Sequence, residues 1–255
     1  MISTWKSERF DGIGFTSGEN FTHSFPDHFH YEYTVGVSTS GIQKFDLQGK
    51  SFMVEPFSVF LIKPEQMHAH YPIAELGWSF KSIYLSLDFV NYLLKGSGTQ
   101  HINSINSPIL NDEALFNAYI NLHQNKEAPS ETEFATFLKA LFRKSAIEND
   151  ALQLQIPERI AEIKCYLLQQ LNQKLSLDKI SKKFSIDKYQ LIRQFKTHTG
   201  VTPNTYLTIL RIEKARKLIS NHFPIIEAAL EAGFYDQSHF HHNFVHYTGL
   251  TPGAY

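Results

Sequence analysis

Three histidines and a glutamate near the start of the chain have the residue types and spacing of a metal-ligand set. His28, His30 and Glu32 alternate along a predicted strand, so their side chains fall on one face, and His68 follows at a distance. Three imidazoles and a carboxylate can hold Zn, Fe, Mn or Ni. The same groups can instead line a small-molecule pocket or close a β-domain, and the residues alone leave these alternatives open.

A second set of residues lies on a predicted helix in the last third of the chain, which Asp187 caps. Leu191 and Phe195 mark its buried side. An arginine on the opposite side can make two hydrogen bonds to guanine, and lysines there can neutralise phosphates. A solvated basic helix surface would show the same pattern. The residues on that opposite side are Lys188, Tyr189, Ile192, Arg193 and Lys196.

A repeat decides between these interpretations. The segment 200–206 recurs as 249–255, an offset of 249 − 200 = 49 residues, and the same offset aligns Asp187 with Asp236. A period near 50 residues indicates one supersecondary unit per copy. Each copy is predicted to be a helix-turn-helix, at about 176–198 and 225–247, whose second helix enters the major groove of double-stranded DNA. In the second copy, the residues predicted to contact DNA are Gln237, Ser238, His239, His241 and His242.

The remaining elements place these two sets in separate domains. Short alternating segments between residues 21 and 86 predict strands of a small barrel or sandwich. A break follows at Gly96–Gly98, and helices are predicted at 112–124 and 131–148, with Ser130 as a cap. The expected fold is therefore a two-domain α+β chain. Its parts are a ligand-sensing β-barrel at 1–95, a helical segment for dimerisation at 108–150 and an all-α DNA-binding domain at 157–255, in which 203–220 forms one rigid helix between the two copies.

The helix predicted at 131–148 carries an apolar stripe that must be buried. It either packs on the barrel or forms a self-associating surface of a homodimer. The stripe consists of Phe134, Phe137, Leu138, Leu141 and Phe142.

Composition narrows the class of protein. The chain has 255 residues and a net charge of −1, but residues 157–255 hold 13 Lys/Arg and 8 Asp/Glu, which gives +5 and leaves 11 − 17 = −6 elsewhere. The basic part coincides with the repeat, as DNA binding requires. A single cysteine, Cys165, excludes an internal disulfide and a cysteine-based metal cluster. The N-terminus lacks the apolar segment of a secretory signal, so we expect a cytoplasmic protein with no membrane partner.

The last 95 residues or so resemble the AraC/XylS family of bacterial transcription regulators. This resemblance implies two helix-turn-helix subdomains that enter successive major grooves on one face of the duplex, about one helical turn apart. Where the family usually has Arg and then Phe-Lys, this chain has His242 and then Phe244-Val245, which removes two cations from the second reading helix. Family members usually continue past the tyrosine that matches Tyr255. The motifs that carry the resemblance are Leu191–Lys196, Gly200–Pro203 with Tyr206, Arg211 and Ala215, Ala232–Phe240, Phe244 and Gly249–Pro252.

The segment from His23 to Trp78 resembles the cupin-like sensing domain of the same family. It implies a pocket for a small-molecule effector, whose identity the residues do not specify, and no certain cofactor. A divalent metal on the histidines, and with it a metal-dependent cupin enzyme, is the alternative. Catalytic cupins, however, place the glutamate further from the His-x-His pair than Glu32 is, and we expect no enzyme. The expected pocket residues are His28, His30, Glu32, Tyr33, His68, Trp78 and Tyr84.

Overall fold

The computed structural model describes residues 2–75, 77–95, 107–124, 129–145 and 156–255. The predicted break at Gly96–Gly98 and the predicted helix end near residue 148 lie outside these residues. The chain forms two compact units. The first comprises Met1–Ser24, Phe29–Gln66 and His70–Gln153, and the second comprises Phe25–His28, Met67–Ala69 and Leu154–Tyr255.

The strands occupy the N-terminal part of the chain, and helices occupy the rest. The strands are β1 (Ile2–Lys6), β2 (Ile13–Phe21), β3 (Phe25–His28), β4 (Tyr33–Ser40), β5 (Gln43–Leu47), β6 (Lys50–Val54), β7 (Val59–Ile62), β8 (His68–Pro72), β9 (Trp78–Leu85) and β10 (Ile109–Leu110). The helices are α1 (Leu87–Leu94), α2 (Glu113–Gln124), α3 (Glu131–Ser145), α4 (Glu158–Gln169), α5 (Leu177–Phe184), α6 (Lys188–Thr199), α7 (Pro203–Ser220), α8 (Ile225–Glu231) and α9 (Gln237–Thr248).

The described strands form two sheets and not one closed barrel. The larger sheet has the order β1-β2-β9-β4-β7-β10, and the smaller has the order β3-β8-β5-β6. Register shifts at Gly18–Phe21 and Ser38–Ser40 interrupt the pairing of β2 and β4 with β9 near its start, and such irregularities bend a strand locally. The predicted α+β class with an N-terminal β-domain and C-terminal helices is confirmed, while the barrel is corrected to two sheets.

One face of the six-stranded sheet packs against α2 and α3. Alternation directs Val35, Leu61 and Ile83, which are neighbours in register, toward the helices, where they join one apolar cluster. The phenol of Tyr119 in α2 donates to the carbonyl oxygens of Val35 and Lys81, at 3.1 and 2.8 Å. The helices are therefore fixed to the middle of this sheet.

The apolar stripe of α3 is buried in the same cluster. Phe142 contacts Tyr33 of β4, with ring centroids 5.6 Å apart, and Phe134 packs edge-on to Phe89 of α1 at 5.7 Å. Packing on the β-domain is thus confirmed for this stripe, and a self-associating stripe is wrong. Ser130 caps α3 as predicted, because its Oγ accepts from the Glu133 amide at 3.2 Å and the Glu133 carboxylate accepts from the Ser130 amide at 2.7 Å.

Helices α4 to α9 build the second unit, in which α7 runs from the first helix-turn-helix to the second. Its bounds, Pro203 to Ser220, are those predicted for the rigid helix between the copies. The second copy has its own core, in which Ile212 of α7 lies with Phe234, Phe240 and Phe244. Among the residues that the structure describes, no helix is both long enough and apolar enough to cross a membrane.

Candidate nucleic-acid interface and ligand site

Helices α6 and α9 begin and end with the same local contacts. Asp187 accepts from the amides of the second and third residues of α6, at 2.9 and 3.1 Å, and Asp236 accepts from the equivalent amides of α9, at 2.8 and 3.3 Å. At the other end, Thr199 and Thr248 each donate to a carbonyl oxygen four residues earlier, at 2.8 and 2.7 Å. Both helices have 12 residues, so the repeat in sequence is a repeat of structure.

Three of the five α6 residues predicted to contact DNA are exposed. Tyr189 is 81% exposed, Arg193 and Lys196 are exposed, and Ile192 is half-buried. Lys188 forms an ion pair with Asp178, in which Nζ lies 2.9 Å from Oδ1. This hydrogen bond raises the pKa of the lysine. Arg193 has no carboxylate within ion-pair distance among the described residues, so its guanidinium can meet a base or a phosphate.

Helix α9 presents a different surface at the equivalent positions. It contains no lysine or arginine, and its exposed side is made of amide, hydroxyl and imidazole groups. His242 stacks on His246, one turn later, with ring centroids 6.2 Å apart. The five predicted residues, all exposed, are Gln237, Ser238, His239, His241 and His242.

Sequence reasoning missed a set of contacts that fix the second helix-turn-helix to the segment after α4. Arg211 of α7 donates from Nε to the Leu171 carbonyl at 3.0 Å and from Nη2 to the Gln173 carbonyl at 2.9 Å. The Tyr235 hydroxyl donates to the Asn172 carbonyl. Gly233 has φ +92°, and a Cβ at this position would clash with the Leu171 carbonyl oxygen. Arg211 therefore stabilises the contact between α7 and the segment after α4. Partial burial lowers the pKa of its guanidinium.

The second unit brings two of the candidate metal ligands together. His28 and His68 are both buried, and their ring centroids are 4.2 Å apart. His30, which is also buried, belongs to the first unit. His28 Nδ1 donates to the Pro26 carbonyl at 2.7 Å, which leaves Nε2 as its ligand atom. Glu32 is half-buried and also belongs to the first unit.

The predicted aromatic walls of the pocket separate onto two faces. Tyr84 packs edge-on to His30 at 5.3 Å, and Trp78 stacks with a neighbouring imidazole. Tyr33 points the other way, into the core that holds α3, where burial raises its pKa. Tyr33 pairs with Leu85 while Thr34 pairs with Tyr84, so alternation places the two tyrosines on opposite faces and the structure does not bring them together.

Two polar residues between the sheets were not predicted. Gln43 of β5 is fully buried, and its Oε1 accepts from Nδ1 of His70 at 2.8 Å. The imidazole stacks on Phe45 at 4.8 Å and 13°. The signal was present in the sequence, since Gln43 stands at an inward position of the alternating strand Gln43–Leu47.

Comparison with known proteins agrees with this architecture. Residues 16–146, just over half of the chain, match the family described as AraC-like ligand binding domain, and residues 180–255 match a helix-turn-helix domain. An uncharacterized HTH-type transcriptional regulator of Bacillus subtilis (strain 168), YbfI, is 28% identical over 224 residues, which cover 84% of this chain and 81% of that protein. The HTH-type transcriptional activator RhaS of Enterobacter sp. (strain 638) is 25% identical over 237 residues, with coverage of 85% and 82%.

A solved structure has the same fold along almost the whole chain. ToxT from Vibrio cholerae O395 superposes with a TM-score of 0.65 at 17% identity, and the match covers 95% of this chain and 96% of ToxT. The chain therefore belongs to the AraC/XylS family of transcription regulators, with an AraC-like ligand-binding domain ahead of two helix-turn-helix units.

Proposed function

We propose that the outward sides of α6 and α9 read base edges in two successive major grooves, and that a small molecule bound in the first unit controls this reading. The observation that carries the proposal is the matched pair of capped helices. Each exposes polar side chains near its N-terminus, where a recognition helix contacts bases. Helix α7 and the Arg211 contacts hold the two reading helices at one separation.

The two reading helices contribute unequally to affinity. Arg193 and Lys196 give α6 two exposed cations, whereas α9 has uncharged donors and histidines. Phosphate neutralisation supplies most of the salt-dependent affinity. We therefore expect α6 to provide the larger salt-dependent share and α9 to contribute hydrogen bonds to bases.

The substitution Arg193→Ala tests this assignment. A duplex selected from a random pool by the parent protein, and a scrambled duplex of equal length, are titrated by fluorescence anisotropy. Arg193→Ala should weaken binding to the selected duplex by about 1–3 kcal/mol and binding to the scrambled duplex much less. Arg159→Ala, which removes the same charge from an exposed position of α4, is the matched control and should discriminate between the duplexes as the parent does. Parent-like affinity of Arg193→Ala for both duplexes would show that α6 is not a reading helix.

We also propose that two copies of the chain associate through the outer surface of α2 and α3. With the α3 stripe buried, small side chains remain outside and leave a groove of about 440 Å³ between these helices. Small residues let helices approach closely. Sedimentation at several concentrations should show that the parent protein is a dimer. Ala118→Arg should dissociate this dimer and leave the secondary structure unchanged. A parent protein that sediments as a monomer at every concentration would rule out this association in the absence of DNA. The groove includes Ala114, Ala118, Thr136 and Ala140.

A metal-dependent enzyme is the second candidate, and the close pair of buried imidazoles, His28 and His68, is the observation that favours it. We propose instead that the protein is not an enzyme and that these histidines hold no metal. Two measurements distinguish the enzyme from the regulator. They are the metal content of the purified protein and its DNA affinity before and after chelation. Stoichiometric transition metal that is lost in His68→Ala would favour the enzyme; a metal-poor protein with full DNA affinity favours the regulator.

A further inference from the structure

On the face of the six-stranded sheet that points away from α2 and α3, the central strand β4 carries small and polar residues. On β4, Thr34, Gly36 and Ser38 alternate with Val35 and Val37, and all five are buried. A strand that only filled a core would carry large apolar residues on both faces. This face is thus adapted to place polar atoms and rings between the two sheets.

Aromatic rings from both sheets meet over this face. Phe60 of β7 occupies the space above Gly36, where a Cβ would clash with its ring. Phe60 also contacts Phe45 and His70 of the smaller sheet, with ring centroids 5.6 Å away in both cases. On the other side His70 faces Trp78 at 5.9 Å, with an angle of 20° between the rings. Phe45, His70, Trp78 and Phe80 form a row of rings with angles of 13°, 20° and 26° between neighbours, and Phe60 is tilted by 39° against Phe45 and by 49° against His70. We call these five residues the ring cluster (Phe45, Phe60, His70, Trp78 and Phe80).

Two hydrogen-bond donors beside the ring cluster have no acceptor among the described residues. They are Nε2 of Gln43 and Nε1 of Trp78, on side chains that are 0% and 2% exposed. The Gln43 oxygen is already used, because it accepts from His70 Nδ1. Buried polar atoms almost always have a partner, so a buried donor without one marks a position where an acceptor belongs. Thr34 Oγ1, on the polar face of β4, also lacks a partner in the described part of the chain.

These observations define the chemistry of a ligand. Two N–H donors require an acceptor oxygen, and the amide and indole carry no charge that would favour an ion. Parallel rings favour a flat molecule. A flat ring between His70 and Trp78 needs roughly 7 Å, two contacts of about 3.5 Å, so these two rings, whose centroids are 5.9 Å apart, must separate for the ligand to enter. We propose that the ring cluster binds a flat, uncharged molecule that presents a carbonyl oxygen to Gln43 and Trp78, such as an aromatic amide or ketone.

This inference rests on the proposed small-molecule control and names the class of effector. The test uses the full chain with the substitution Trp5→Phe, which leaves Trp78 as the single tryptophan. Benzamide is titrated while Trp78 emission is recorded. Benzoate, which carries a charge, and toluene, which lacks the oxygen, are the comparison compounds. Benzamide should cause a saturable change at a concentration at least about tenfold lower than either comparison compound, as expected for hydrogen bonds to an otherwise unpaired donor.

Two variants and one control complete the test. Gln43→Leu should weaken benzamide binding about tenfold or more, whereas Gln124→Leu, which changes an exposed glutamine of α2, should bind as the parent does. Trp78→Phe keeps an aromatic ring but is smaller and lacks the indole N–H, so benzamide should no longer raise its melting temperature as it raises that of the parent. Circular dichroism establishes that each variant is folded.

Three results would overturn the inference: no saturable response to benzamide, an equal response to toluene or benzoate, or undiminished binding by folded Gln43→Leu. The DNA titrations with Arg193→Ala contain no benzamide. A protein that reads selected DNA but fails these tests would therefore refute the ligand class alone, and a protein that binds benzamide but no specific DNA would refute the proposed function alone.

Discussion

His123 makes the stability of the first unit depend on pH. Its imidazole, at the end of α2, is 5% exposed and lies against Trp5 and Phe15, with ring centroids 5.2 and 5.5 Å away. Nε2 donates to the Thr16 carbonyl at 3.1 Å, so Nδ1 is the atom that would be protonated. Burial, assisted by the charge of Lys81 and opposed by the Thr16 hydrogen bond, lowers the pKa of His123 from 6.5 to about 4. The folded protein therefore favours the neutral ring.

The sign and size of the effect follow from this shift. A pKa that is lower in the folded state than in the unfolded state gives stability that is complete above pH 6.5 and is lost as the pH falls toward 4. At about pH 5, the pH is about 1.5 units below the pKa of the unfolded histidine, which is therefore mostly protonated. The folded histidine is still mostly neutral at this pH. At about 1.36 kcal/mol per unit, His123 should remove about 2 kcal/mol from the free energy of unfolding.

Urea unfolding followed by tryptophan emission measures this loss. The chain has two tryptophans, Trp5 and Trp78, and both belong to the first unit, so emission reports that unit alone. His123→Gln keeps a donor for the Thr16 carbonyl and cannot titrate in this range. Between about pH 7.5 and about pH 5, the parent should lose about 2 kcal/mol more than this variant does. An equal loss in the two proteins would refute the assignment of a depressed pKa to His123.

Four further substitutions test the second unit. Arg211→Met removes both hydrogen bonds to the segment after α4. Its affinity for a selected duplex with two half-sites should fall by about tenfold or more, while its affinity for a single half-site changes little. Anisotropy titrations measure both affinities, and equal losses on the two duplexes would contradict a positioning role. Gly233→Ala places a side chain at φ +92° against the Leu171 carbonyl. It should destabilise the helical unit by roughly 1–3 kcal/mol, which urea unfolding followed by circular dichroism measures. An unchanged unfolding midpoint would show that the turn relaxes. Asp236→Ala and Asp187→Ala should each lower the free energy of unfolding by about 1 kcal/mol, because the two caps accept from equivalent amides. Markedly different losses in the same unfolding experiment would mean that the two copies are not equivalent.

The helical unit was readable from the sequence because its signals are local. A cap, a buried pair one turn apart and a following Thr-Gly recur in both copies, and each contact that they make spans two to four residues. Pro203 likewise marks the start of α7. The eight-residue helix α1 escaped prediction because it is short, although Ser86 caps it through the Phe89 amide at 3.2 Å.

The ligand site depends on contacts between distant residues, which no local pattern specifies. Alternation along β4 and β9 places Tyr33 and Tyr84 on opposite faces, and the stripe of α3 decides that the face of Tyr33 meets the helices. The strand predicted to carry His28, His30 and Glu32 is wrong, because β3 ends at His28 and residues 29–32 are not in a strand. The hydrogen bond between Gln43 and His70 joins residues 27 apart, and that between His123 and Thr16 joins residues 107 apart. The sequence by itself therefore determined α6 and α9, because their caps and buried pairs lie within about one turn of helix, and the family, because its motifs recur at a fixed offset of 249 − 200 = 49 residues. Only the tertiary structure decided the ring cluster, its two donors that lack an acceptor in the described part of the chain, and the buried His123, because packing of separate strands and helices creates each of them.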